Sequence, residues 1–267
     1  MKTITRKSLL YKSGVDYGDY SLNHVLGCSH GCLYPCYEMQ RKIRHKQVND
    51  YADWTEPKLV INALEILNKE IPKLKNKIKA VHLCFSTDPF MYKQKEVKKM
   101  TLEIIAKLNK AGIKCVVLTK GTLPKELASE KYSRGNEYGI TLVSHDKKFQ
   151  KKYEPNASPP DRRLSSLRYL HEQGLKTWVS MEPYPTYNIV HQFLGEVLEK
   201  IKFVDKIVFG SWNYNKPLVS GQKNSKQLYI GKTYALSKFC KENNIEYHVK
   251  MKGKEYDKFR NPKLFQN

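Results

Sequence analysis

Short apolar runs alternate with amphipathic runs along most of this chain, and that alternation restricts the fold more than any other feature. Ala80–Ser86 (AVHLCFS), Lys114–Thr119 (KCVVLT), Gly139–Ser144 (GITLVS), Lys176–Met181 (KTWVSM) and Lys206–Gly210 (KIVFG) are short, apolar and rich in β-branched residues. Such runs are predicted to be strands of a parallel sheet buried on both faces. Between them, Leu59–Glu70, Val97–Lys110, Leu164–Gly174, Val190–Lys200 and Lys232–Glu242 carry apolar residues at helical spacing. Ala111-Gly112 and Gly174 supply stops. A strand–helix repeat of this kind implies an α/β chain with a parallel sheet and helices outside it, either a barrel or a partial barrel.

At 267 residues the chain forms one large domain or two small ones. A hydrophobic content of 40% excludes a disordered chain, because enough surface is buried to offset ordering entropy. No run approaches the roughly 18 apolar residues of a membrane span. The opening MKTITRKSLLYKSG lacks the apolar stretch of a secretory signal, so the expected location is the cytoplasm. Lys and Arg total 48 against 26 Asp and Glu, a net charge of +22. That surplus favours polyanionic partners such as nucleic acid. A lysine-rich composition accounts for it equally well, since the sequence does not gather the lysines on one face.

Six cysteines are present, and three of them, Cys28, Cys32 and Cys36, fall within nine residues. A cytosolic chain does not use that pattern for disulfides. Three thiols on one loop suit a metal ion or an iron–sulfur cluster. Structural zinc wants a fourth ligand, usually from a second paired motif. No such motif exists here, although His30 and His45 offer nitrogens. A [4Fe–4S] cluster that only transfers electrons takes four cysteines. With three, one iron stays open for a substrate or cofactor.

In a barrel, functional residues sit where strands end. The strand exits here read Ser86-Thr87-Asp88-Pro89, Thr119-Lys120-Gly121, Ser144-His145-Asp146, Met181-Glu182-Pro183 and Ser211-Trp212-Asn213. Singly, these are ordinary turn and cap residues. Converging, they suit a zwitterionic, hydroxyl-bearing ligand, with the lysine taking a carboxylate and the acids and hydroxyls taking an ammonium and a ribose.

These residues resemble a family. Leu26-Gly27-Cys28, Gly31-Cys32 and Cys36-Tyr37, then Phe85-Ser86-Thr87-Asp88-Pro89, Leu118-Thr119-Lys120, Glu154-Pro155 with Arg163-Leu164, and Ser180-Met181-Glu182-Pro183 look like the radical S-adenosylmethionine (SAM) enzymes. The closer likeness is to the spore photoproduct lyase branch, over roughly residues 20–215. The resemblance implies a partial (β/α)6 TIM-type barrel at 21–212, an N-terminal extension at 1–20 and a C-terminal extension at 213–267. It implies a [4Fe–4S] cluster on Cys28, Cys32 and Cys36, with SAM on the open iron. Reductive cleavage of SAM would give a 5′-deoxyadenosyl radical that takes a hydrogen atom from a substrate. It implies Ser86, Thr87 and Asp88 at the SAM amino group, Lys120 at its carboxylate, Ser144 near the ribose, and Glu182 and Asn213 at the barrel mouth. The implied partners are a nucleic acid or nucleotide substrate and a one-electron donor such as flavodoxin or ferredoxin. The alternative is a non-catalytic zinc or iron–sulfur nucleic-acid-binding protein.

The spacing here is Cys-x3-Cys-x3-Cys, one residue longer than the usual Cys-x3-Cys-x2-Cys, with Tyr34-Pro35 before Cys36. In the lyase branch a cysteine near Cys84 returns a hydrogen atom to the product radical. Cys84 is offset from that place by one residue, which turns a strand side chain to the other face. Its two readings are hydrogen donor and buried core cysteine. Trp54, Trp178, His82, Cys115 and Cys240 read as core. Tyr184 and Tyr187 read as base-stacking or loop-packing residues. Arg162-Arg163 reads as a phosphate contact or a surface charge pair beside Asp161.

Overall fold

The computed structural model describes residues 1–14, 19–34, 36–211, 225–251 and 253–259. Among these, the strands are β1 Lys2–Ile4, β2 Leu10–Lys12, β3 Tyr20–Leu22, β4 Val25–Leu26, β5 Lys58–Val60, β6 Ala80–Leu83, β7 Lys114–Thr119, β8 Glu137–Thr141, β9 Lys176–Met181, β10 Lys206–Phe209 and β11 Glu246–Val249. Eight of them form one sheet in the order β11-β10-β9-β8-β7-β6-β3-β2. Every pairing in it is parallel except β2 with β3. Strands that follow one another in sequence lie side by side, with helices such as Lys95–Lys110 and Pro160–Glu172 in the crossovers. The edges β2 and β11 do not pair with each other, so this is the expected partial barrel. A second, three-stranded sheet, β1-β5-β4, stands beside the cysteine loop.

Alternation along each strand sorts side chains between two layers. Val81, Val117, Ile140, Val179 and Ile207 join the main core beneath the helices. Val116, Trp178 and Val208 form a separate small cluster on the opposite face. There the Trp178 ring lies against Gly139, where an added Cβ would come within 2.5 Å of it. Lys206 pairs with Glu137 at 2.5 Å on that face. Trp54, Trp178, His82, Cys115 and Cys240 are all buried, as expected.

Several boundaries shift from the sequence reading, Gly139–Ser144 becoming Glu137–Thr141 and Lys232–Glu242 becoming Ser225–Glu242, and two further shifts have a plain physical reason. The Ala80–Ser86 run ends as a strand at Leu83, because Cys84 takes a left-handed backbone (φ 51°) that breaks the ladder. The helix placed at Leu59–Glu70 runs instead over Ala63–Leu74, because Lys58–Val60 is claimed by β1 and β4. The region beyond 213 supplies the helix Ser225–Glu242 and the edge strand β11.

Candidate functional site

The cysteine loop leaves β4 through Gly27 and turns again at Gly31, both with left-handed φ (88° and 56°). A Cβ at either would lie 2.6 Å from Trp54 O or from the Tyr51 hydroxyl, so only glycine fits. The loop is held from two sides. Cys28 N–H donates to Trp54 O (2.8 Å), and Leu33 and Tyr34 N–H both donate to Tyr153 O (2.8 and 3.1 Å). Tyr34 packs edge-on against Phe149 and Tyr153 and donates its hydroxyl to Pro183 O at 2.6 Å. Cys36 is the N-cap of the helix Tyr37–Arg44, where the helix dipole favours negative charge. Pro35 lies outside the described residues.

Lys120, leaving β7, points its ammonium at this loop, 3.8 Å from Cys32 Sγ. The same Nζ lies 2.8 Å from Glu154 Oε1, and Arg163 Nη2 donates to Glu154 Oε2 at 2.6 Å. Arg163 also donates to Ser158 O (2.7 Å) and Thr141 O (3.0 Å). Its side chain is 1% exposed, which corrects the reading of Arg163 as a surface charge or phosphate contact. Burial opposes ionisation of Glu154, but Lys120 and Arg163 outweigh it and hold the carboxyl down at about 2. Burial likewise opposes the Lys120 charge, and Cys32 and Glu154 raise its pKa above the ordinary lysine value.

Asp88 is wired into the protein. Its Oδ1 accepts from Phe90 N–H (2.9 Å) and the Thr119 hydroxyl (2.6 Å), and its Oδ2 accepts from Lys120 N–H (2.7 Å). His30 Nδ1 lies 3.5 Å from Oδ2, while its Nε2 accepts from Tyr92 N–H at 2.8 Å. That acceptor role puts the ring proton on Nδ1, facing the carboxylate. Asp88 therefore ties the exits of β6 and β7 to the cysteine loop. Ser86 and Thr87 are partly exposed beside it. Ser144 is buried, and its hydroxyl accepts from Asp146 N–H at 3.1 Å. Glu182 accepts from Ser180 at 3.4 Å and meets Lys250 at the same distance, across the mouth. Asn213 lies outside the described residues.

Cys84 is 2% exposed and packs with Val25, Met91 and Val97, with Cys28 against that cluster. Its Sγ is 3.3 Å from His24 Nδ1, and His24 Nε2 is 2.9 Å from the Thr101 hydroxyl. That hydroxyl donates onward to Pro89 O at 2.5 Å or Val97 O at 2.8 Å, so it accepts from Nε2–H, and Nδ1 accepts a hydrogen bond from the thiol. Burial lowers His24 to about 3 and raises Cys84 to about 12, so both groups are neutral. This packing favours the buried-core reading of Cys84.

The sequence reading did not single out His24, and it used Glu154 only as part of a motif. His24 stands just past β3, a strand the apolar runs do not mark, and Glu154 follows the helix Lys147–Tyr153, where no local signal marks it. Tyr34 was visible as the aromatic before Cys36, but not its reach to Pro183.

The donor set fits an iron–sulfur cluster. Burial pushes up the Cys28, Cys32 and Cys36 thiols, Cys32 to about 12, so bound metal is needed to hold them as thiolates. Among the described residues, no three His, Cys, Asp or Glu side chains converge as ligands of one ion do. Lys120 adds a hydrogen-bond donor to one sulfur, a contact that tunes such clusters.

Comparisons with known proteins bear on the family and the fold. The profile described as the radical SAM superfamily matches residues 22–200, well over half the chain. The uncharacterized protein ORF301 of Acidianus two-tailed virus is 28% identical over 189 residues, covering 68% of this chain and 61% of that protein. The uncharacterized protein MJ0683 of Methanocaldococcus jannaschii is 26% identical over 182 residues, covering 66% of this chain and 65% of that one. The chain thus spans less than two thirds of either relative. Spore photoproduct lyase complexed with dinucleoside spore photoproduct superposes with a TM-score of 0.62 at 12% identity, over 92% of this chain and 80% of that one. SuiB of Streptococcus suis bound to S-adenosylmethionine superposes at 0.51 and 13% identity, over 70% and 43%. At such identities these likenesses speak for the fold.

Proposed function

This chain belongs to the radical SAM superfamily, and from that premise we propose that it cleaves S-adenosylmethionine reductively and takes a hydrogen atom from a nucleic acid or nucleotide. Enzymes of this superfamily use a [4Fe–4S] cluster together with SAM. When bound, that pair supplies a one-electron cleavage yielding methionine and a 5′-deoxyadenosyl radical.

In this reading Cys28, Cys32 and Cys36 hold the cluster. The observation that carries it is the three-thiol loop with the Lys120 ammonium fixed 3.8 Å from Cys32 Sγ. Lys120 supplies the positive charge for Cys32 and for the SAM carboxylate. Ser86, Thr87 and Asp88 take the amino group, and Asp88 also holds the two strand exits in register through Thr119 and Lys120. Ser144 serves the ribose side, and Glu182 stands at the mouth with Lys250. The net charge of +22 supports a polyanionic substrate, and so does the fold shared with a lyase whose structure holds a dinucleoside. The electron comes from a carrier such as flavodoxin or ferredoxin. Among the described residues, no helix is long and apolar enough to cross a membrane, and we place the enzyme in the cytoplasm.

The test is anaerobic. Protein with reconstituted cluster is given SAM and dithionite, and 5′-deoxyadenosine is measured. Formation above the level of a variant with all three loop cysteines changed to alanine supports the reading. Equal levels in both overturn it.

A further inference from the structure

The cysteine loop reaches the surface between Cys32 and Cys36. Leu33, bonded to Cys32 in the chain, is 55% exposed. The helix Lys147–Tyr153 lies against the loop at this point. Its last residue accepts at the backbone from Leu33 N–H (2.8 Å), and its Phe149 and Tyr153 rings pack on Tyr34. The helix is therefore fixed beside a cysteine that the proposed cluster uses.

The other side of that helix is lysine. Lys147, Lys148, Lys151 and Lys152 are all exposed, and helical spacing turns them away from Phe149 and Tyr153. Lys147 and Lys151 stand at i,i+4, and so do Lys148 and Lys152, a spacing at which like charges repel. The acids at the two ends of the helix are already engaged. Asp146 caps it by accepting from Lys148 and Phe149 N–H, and Glu154 is buried and turned inward to Lys120 and Arg163. Among the described residues none of the four lysines is in an ion pair, although Lys152 Nζ stands 5.0 Å from the centre of the Tyr153 ring. So short a helix carries this repulsion uncompensated within the chain.

We propose that this face, four lysines beside the apolar Leu33, is where an acidic one-electron carrier protein docks to reduce the cluster. Local charge selects the partner: the lysines complement an acidic surface and steer its approach. An apolar residue beside a charged rim suits a protein partner. Position gives the task, because a carrier seated on Leu33 lies against the loop that holds the cysteines. In the transfer, the anionic hydroquinone of a flavodoxin gives up one electron and becomes the neutral semiquinone, and the cluster is reduced by one electron. The proposal rests on the radical SAM reading given above.

The experiment uses the anaerobic holoenzyme and a purified flavodoxin of net negative charge. Titration calorimetry reads binding of the oxidised flavodoxin, and 5′-deoxyadenosine formation is driven by reduced flavodoxin or by dithionite. The fourfold variant Lys147→Gln, Lys148→Gln, Lys151→Gln, Lys152→Gln weakens binding roughly 10- to 100-fold and raises the KM for flavodoxin. Its dithionite-driven rate, iron content and melting temperature stay at the wild-type values. The corresponding Lys→Arg set keeps binding. A control set, Lys73→Gln, Lys75→Gln, Lys77→Gln, Lys79→Gln, removes as much charge just before β6, at the far end of the strands, and leaves binding as in the wild type. Equal loss in both glutamine sets shows a response to total charge and overturns the surface, as does unchanged binding in the first set. If the first set loses binding to single-stranded DNA of about 12 nucleotides but not to flavodoxin, the lysines serve nucleic acid and the carrier is overturned. A wild type that works with dithionite but neither binds flavodoxin nor accepts its electron overturns the surface and leaves the radical SAM reading standing. No product with either reductant removes that reading and the surface with it.

Discussion

Arg163 donates to Glu154 at 2.6 Å, and neither side chain is more than 3% exposed. The pair is a fixed internal post, and the other oxygen of Glu154 holds Lys120 at 2.8 Å. Breaking such a pair leaves a buried charge unmatched. Glu154→Ala is therefore expected to lose about 3–5 kcal/mol of stability in urea unfolding. A loss within error would mean that water reaches the pair.

The same carboxyl sets an acid dependence. Burial works against its charge, but Lys120 and Arg163 hold its folded pKa at about 2, below the ordinary value of 4.5. A depressed carboxyl stabilises the fold above its unfolded pKa, and that contribution disappears as pH falls through the folded value. The stability difference between wild type and Glu154→Gln should be constant above about pH 5 and shrink between there and about pH 2. A difference that grows on acidification contradicts the assignment.

Lys120 stands by one sulfur of the three. A hydrogen bond to a cluster ligand and a nearby cation both favour the reduced, more negative state. Lys120→Met is expected to shift the cluster midpoint potential to more negative values, read by EPR-monitored titration, with iron content unchanged. An unmoved potential would place Lys120 away from the cluster.

Cys84 and His24 form a neutral buried pair, at about 12 and about 3. The native protein should resist alkylation at Cys84 through pH 9, about where a free thiol is half ionised. Cys84→Ala should leave iron content and product partitioning unchanged. Altered partitioning would restore the hydrogen-donor role.

Two glycines give opposite expectations. Gly139→Ala drives a Cβ to within 2.5 Å of the Trp178 ring and should cost about 1–3 kcal/mol, with a shift in tryptophan emission. Gly231→Ala has open space and should raise stability by about 0.5–1 kcal/mol. Thermal unfolding checks both.

Much of the barrel was legible because it is locally encoded. β7 and β9 occupy the residues that their apolar runs marked, Lys114–Thr119 and Lys176–Met181. The failures are non-local. Lys58–Val60 carries helical spacing in sequence, yet it is a strand because β1 and β4 are there to pair with it. Arg163 beside Asp161 looks like a helix-surface charge, and its true partner is nine residues upstream across a loop with Pro155 and Pro159. The three-cysteine loop is the pattern on which the family resemblance rests, and the family model spans it. The hydrogen bonds around Asp88 were not legible, because its partners come from three separate stretches of chain, at His30, Phe90 and Thr119-Lys120.

The central claim is that Cys28, Cys32 and Cys36 hold a four-iron cluster with one iron open to SAM. The most direct measurement is the EPR spectrum of the dithionite-reduced, reconstituted protein, recorded with and without SAM beside an iron assay. The account expects about four irons per chain and a signal that changes shape when SAM is added. It expects both to be lost in Cys28→Ala, Cys32→Ala and Cys36→Ala. A cluster spectrum indifferent to SAM, or iron that survives in the cysteine variants, would contradict it.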